Sequence, residues 1–182
     1  MKIFLAIALL LSIGLYANQD TLTYYKLGSY ESGFEHEIGK EDARILIESA
    51  HTNTEVAEVI NKLKQPILSE DGKTNHPDYI KMLDVLKESK EIYAKWIGLN
   101  LYINIRNRFP QKEFIKKYGL HFSNALISKN YCSAYLFKGD LIGKTGATPK
   151  QQSIVWERGI QSNCKGTKFE KFYLVSRKNG AL

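Results

Sequence analysis

Cysteine is nearly absent from this chain: Cys132 and Cys164 are the only two among 182 residues. They lack the Cys-x-x-Cys spacing of a thiol redox site, and in an oxidising compartment an even pair is most simply one structural disulfide. Histidine is sparse too. No two of His36, His51, His76 and His121 stand at the three- or four-residue helical step that would aim both at one metal, so the sequence offers no metal site and no cofactor motif. No Cys stands near residue 17, which leaves nothing to carry a lipid-modified N-terminus. Beyond residue 17 no stretch is apolar enough to span a membrane, which takes roughly 20 residues. Internal repeats, low-complexity tracts and linkers are missing as well, so residues 18–182 read as one globular domain.

Acidic residues run short in one half only. From Asn18 to Glu91 there are 9 basic and 15 acidic residues, a balance of −6, whereas Ile92 to Leu182 hold 16 basic and 4 acidic, a balance of +12. Either the halves neutralise each other by packing, or the basic half meets an anionic partner. Residues 1–17, "MKIFLAIALLLSIGLYA", have one Lys, an apolar run and a small residue before polar "NQD". That is the pattern of a cleaved signal peptide, so the expected location is the periplasm or the exterior of a bacterial cell. Export disfavours nucleic acid as a partner.

The patterning predicts a mainly α chain, leaning to α+β. About three to four helices precede a small disulfide-tied C-terminal section with a β-hairpin or a terminal strand. Residues 21–27, "TLTYYKL", suit a strand or extended arm, and Gly28, Ser29, Ser32 and Gly33 suit a turn after it. A first helix spans Glu41–Lys64, acidic at its start and basic at its end, with a kink or break near Thr52–Thr54. The run "SEDGKTNHP" reads as a loop in which Asn75 is an N-cap. A second helix starts near Pro77 and continues to about Asn107, although 99–106, "LNLYINIR", also alternates as a strand would. A third covers Gln111 to about Lys129, with Gly119 as a kink. "SAYLFKGDLIGKTGATP" looks like a hairpin or irregular segment because of its glycines. Thr148-Pro149 followed by Gln151 resembles a capping box opening a short helix through Ile160, and "FEKFYLVSR" reads most easily as a strand.

Several short motifs invite a chemical reading. Gly139-Asp140-Leu141-Ile142-Gly143-Lys144-Thr145 has three residues between its glycines where a phosphate-binding loop needs four. Lys144-Thr145-Gly146 and Ser162-Asn163-Cys164-Lys165 resemble penicillin-binding-protein elements, but in reversed order. Glu31-Ser32-Gly33-Phe34 resembles the Glu-Ser-x-Phe signature of lytic transglycosylases, enzymes that cut cell-wall glycan with one glutamic acid. That resemblance implies Glu31 as general acid, which requires a poorly solvated cleft. The family's apolar helix before the Glu and its Gly-Leu-Met-Gln-like motif after it have no counterpart here.

The remaining cluster is one of surface character. Arg106, Arg108, Lys112, Lys116 and Lys117 gather around Pro110, interleaved with Tyr102, Phe109, Phe114 and Tyr118. A basic patch with aromatics can dock an acidic macromolecule, or it can be a helix face whose aromatics point inward. The expectation is an exported, non-enzymatic binding protein of the immunity, inhibitor or envelope-accessory type that takes an acidic protein on this patch. Cell-wall cleavage by Glu31, and binding of anionic lipid or cell-wall polysaccharide, are the two alternatives.

Overall fold

The computed structural model describes residues 27–63, 76–106, 109–161, 164–167, 170–171 and 174–175. Among them there are eight helices and no strand. They are α1 (Leu27–Ile38), α2 (Lys40–His51), α3 (Thr54–Leu63), α4 (His76–Glu88), α5 (Ile92–Ile105), α6, α7 (Cys132–Lys144) and α8 (Pro149–Gln161). The sixth is composite: an α-helical start at Lys112–Phe114, a π-helical stretch at Ile115–Leu120 and an α-helical end at His121–Ile127. The expected signal peptide, the arm at 21–26, the loop at 64–75 and Arg108 lie outside the described residues.

The architecture is set by α5, in which ten of fourteen residues are buried. Tyr93, Ala94, Trp96, Ile97, Leu99, Leu101, Tyr102 and Ile105 are all buried, and α1, α2, α4 and α6 pack around it. Burial on nearly all sides leaves α5 only a narrow polar edge, Asn100 and Asn104 one turn apart, so residues 99–106 alternate like a strand while folding as a helix. The expected second helix is in fact two. Chain direction changes at Ser89, whose Oγ accepts the Glu91 N–H at 3.1 Å, and Lys95 of α5 reaches back to cap α4 by donating to the carbonyls of Leu86 (3.3 Å) and Lys87.

The break expected near Thr52–Thr54 is present. Asn53 Oδ1 accepts the Val56 N–H at 3.2 Å and opens α3. The capping box at Thr148 is present too: the Thr148 N–H donates to Gln151 Oε1 at 2.8 Å and the Gln151 N–H to Thr148 Oγ1 at 3.3 Å. So is the Cys132–Cys164 disulfide, with Cα atoms 5.5 Å apart.

Two expectations fail for one reason, that glycine in these segments is a helix-packing contact and not a turn former. Gly28, Ser29, Ser32 and Gly33 lie inside α1. Their low helix propensity is outweighed by Tyr30 and Phe34, one turn apart, which are buried against the aromatic cluster of Tyr93, Trp96 and Tyr131. Gly33 is the contact point, since a Cβ there would stand 3.1 Å from Trp96 Cζ2. The expected hairpin at 133–149 is instead α7 and its exit turn. Gly139 and Gly143 face α8, where a Cβ would come 2.3 Å from Trp156 Nε1 and 2.2 Å from Gln152 Nε2 respectively. These glycines let two helices approach. In the segment expected to end as a strand, the described residues 170–171 and 174–175 are helical.

Candidate functional site

The basic aromatic cluster maps to the connector between α5 and α6 and to the helix ends beside it. Its aromatics point inward. Tyr102 is fully buried, and Phe109 stacks on Phe114 at 4.6 Å between ring centroids. Phe114 in turn stacks on Tyr102 at 5.7 Å and tilts against Tyr118 at 4.8 Å. This ladder pins the connector, which the Phe109 N–H closes by donating to the Arg106 carbonyl at 3.1 Å.

The cations divide into two groups. Lys117 bonds to Asp84 at 2.8 Å and lies 4.6 Å over the Tyr118 ring; its hydrogen bond to Asp84 raises its pKa. Burial opposes ionisation of Asp84, but the hydrogen bonds from Lys117 and Tyr118 prevail and lower its pKa. Lys117 is therefore engaged within the fold. Arg106 Nη1 and Lys144 Nζ, by contrast, share one oxygen of Asp140, at 3.5 and 3.4 Å. Lys112 and Lys116 are exposed on the first turns of α6. The sequence reading missed Lys144, because the helical character of α7, which brings residue 144 beside residue 106, was itself missed.

Tyr102, Arg106, Pro110, Ile115 and Lys144 line a cleft of about 380 Å³. The Tyr102 hydroxyl is fully buried and has no hydrogen-bond partner among the described residues. Burial, with the Arg106 charge opposing it and that of Asp140 adding to it, pushes this phenol up to about 12.

A second, more apolar groove of about 780 Å³ runs between α1, α5 and α7 beside the disulfide. Trp96, Leu136 and Phe137 form its apolar wall, while His36, Glu37, Asn100 and Ser133 give it polar groups. Glu37 is the carboxylate of this groove, and burial raises its pKa although the N–H groups of Ser133 and Cys132 oppose the shift. Glu31 is not among the lining residues. It lies half-buried in α1, and its carboxylate, after burial, helps to hold the Tyr93 hydroxyl well above the ordinary tyrosine value. Nothing local in the sequence separates Glu37 from Glu35 or Glu31. Their difference is made by α7 arriving at one face of α1.

Among the described residues no three His, Cys, Asp or Glu side chains converge as a metal site would require, and no helix is long and apolar enough to cross a membrane. No family model, curated protein or solved structure matches the chain.

Proposed function

We propose that this chain is an exported binding protein that docks an acidic macromolecular partner on the cationic face formed by the α5–α6 connector, the first turns of α6 and the C-terminal end of α7. The observation that carries the reading is the sharing of a single carboxylate, Asp140, by Arg106 and Lys144, beside the exposed Lys112 and Lys116. Positive charge here exceeds negative charge and is held on rigid helix ends. Such a field steers an acidic partner and sets its orientation. The anchors on this chain's side are cations, with the aromatics acting from behind to fix them.

Cross-linked capture from an envelope extract tests the reading, using the wild type beside a Lys112→Glu/Lys116→Glu variant. An acidic protein held by the wild type and released by the variant supports it. Equal capture by both removes it, and retention on anionic vesicles or cell-wall polymer in place of a protein transfers the face to another class of ligand.

A further inference from the structure

We propose that the groove between α1, α5 and α7 binds a small organic amine, whose ammonium pairs with the Glu37 carboxylate while its apolar body lies against Leu136 and Phe137. The site shares no residue with the cationic docking face, so the inference stands apart from the docking reading.

The groove has the size and texture of a small-molecule site. Its volume of about 780 Å³ falls within the range of roughly 300–1,000 Å³ that such ligands occupy, and sites between the helices of a bundle are common. Leu136 and Phe137 are half-buried and leave apolar surface open, whereas Trp96 is only 5% exposed and adds little to the reachable wall. The polar end is fixed in advance. One oxygen of Glu37 accepts the N–H groups of Cys132 and Ser133, and the disulfide to Cys164 anchors the same helix end, so little order has to be created on binding.

The charges favour a cation. Glu37 is half-buried, and its second oxygen, Oε2, has no hydrogen bond or ion pair among the described residues and is not sealed from solvent. The nearby Ser133 hydroxyl is sealed and out of hydrogen-bond geometry. Among the described residues no Lys or Arg lines the groove, and His36, its one base, is exposed. Lys165 and Lys171, which flank the lining residue Thr167 in sequence, are exposed and do not line it. The N-terminus of α7 offsets about half of the Glu37 charge, which leaves the site negative. Burial of this uncompensated carboxylate raises its pKa, and an ammonium beside it would restore the ionised form. Because the two N–H groups already occupy Oε1, the one free oxygen suits the point charge of an ammonium better than a guanidinium fork, which takes both oxygens.

NMR titration of the isotope-labelled protein tests the site, with phenethylamine, phenethyl alcohol and hydrocinnamate as probes. The three share a phenylethyl body and end in an ammonium, a hydroxyl and a carboxylate. The backbone amides of Gly33, Glu37, Cys132 and Ser133 are the readout, at about pH 8, where histidine is neutral and a primary alkylammonium stays charged. Phenethylamine should shift these amides saturably and bind about fivefold or more tighter than the alcohol. Hydrocinnamate should bind weakest, since its charge repels that of Glu37. Glu37→Gln, which keeps an acceptor for the α7 cap, should bring the amine down to the affinity of the alcohol and leave the alcohol unchanged. Equal affinities for amine and alcohol in wild type, or an amine preference that survives in Glu37→Gln, overturn the ammonium assignment, as does tightest binding by hydrocinnamate. No saturable shift with any of the three overturns the groove as a ligand site. Should Glu37→Gln fail to fold, the order of the three probes in wild type decides alone.

Discussion

The carboxylate of Glu37 accepts the backbone N–H of Ser133 at 3.2 Å, across 96 residues of sequence. The neighbouring Cys132 N–H donates to the same oxygen, so a side chain of α1 caps the N-terminus of α7. The disulfide from Cys132 to Cys164 holds that same helix end from the other side. Together they fix one wall of the apolar groove.

Replacing Glu37 separates its two roles. Glu37→Ala leaves two N–H groups without their acceptor and should cost about 1–3 kcal/mol. Glu37→Gln keeps an acceptor and should cost less than about 1 kcal/mol. Urea unfolding of the three proteins gives the comparison, and an alanine variant as stable as wild type would remove the capping role.

The same residue imposes a pH dependence. Burial raises its folded-state pKa above the ordinary 4.5, so the folded protein holds this proton more tightly than the unfolded chain. The resulting stability is fully present below 4.5 and is lost as pH rises through the folded value. Wild type should therefore lose stability relative to Glu37→Gln as pH rises from 4.5 through the raised folded-state value. Parallel curves for the two proteins would contradict this.

The glycines of α7 should respond differently to alanine, although both gain helix propensity worth about 1 kcal/mol. A Cβ at residue 139 meets the rigid Trp156 indole, whose Nε1 donates to the Leu136 carbonyl at 3.2 Å. Gly139→Ala should destabilise by about 1–3 kcal/mol through overpacking. A Cβ at residue 143 meets only the flexible amide end of Gln152, which can turn aside for the loss of its 2.9 Å hydrogen bond to the Gly139 carbonyl. Gly143→Ala should stay within about 1 kcal/mol of wild type. Equal losses at both positions would show that the α7–α8 approach does not depend on residue 139.

These two glycines also show where the sequence was readable and where it was not. Local signals and the even cysteine pair were legible: the Thr148–Gln151 box, the break near Thr52–Thr54 and the pairing of Cys132 with Cys164. Gly33 and Gly139 are helical because Trp96 and Trp156 lie against them, and those partners are 63 and 17 residues away. Their turn-like appearance hid α1 and α7, and with α7 went the neighbourhood of Lys144 and Arg106. The cationic cluster around Pro110 was legible from composition. The burial of its aromatics was not, since solvent face and core face have the same residue types there.

Glu31 should have no catalytic part. It is absent from the lining of the apolar groove and sits beside the buried Tyr93. Purified peptidoglycan should remain undigested by wild type and Glu31→Gln alike. Soluble glycan fragments released by the wild type and missing with the variant would revive the transglycosylase reading.

The central claim is that a cationic face on α5, α6 and α7 selects an acidic partner by its charge. Association kinetics of the captured partner with wild type and with Lys112→Glu/Lys116→Glu, measured across a salt series, test it most directly. The wild-type association rate should fall about tenfold or more from low to high ionic strength, and the variant should start near the high-salt rate and change little. Two rates that coincide at every salt concentration would contradict it.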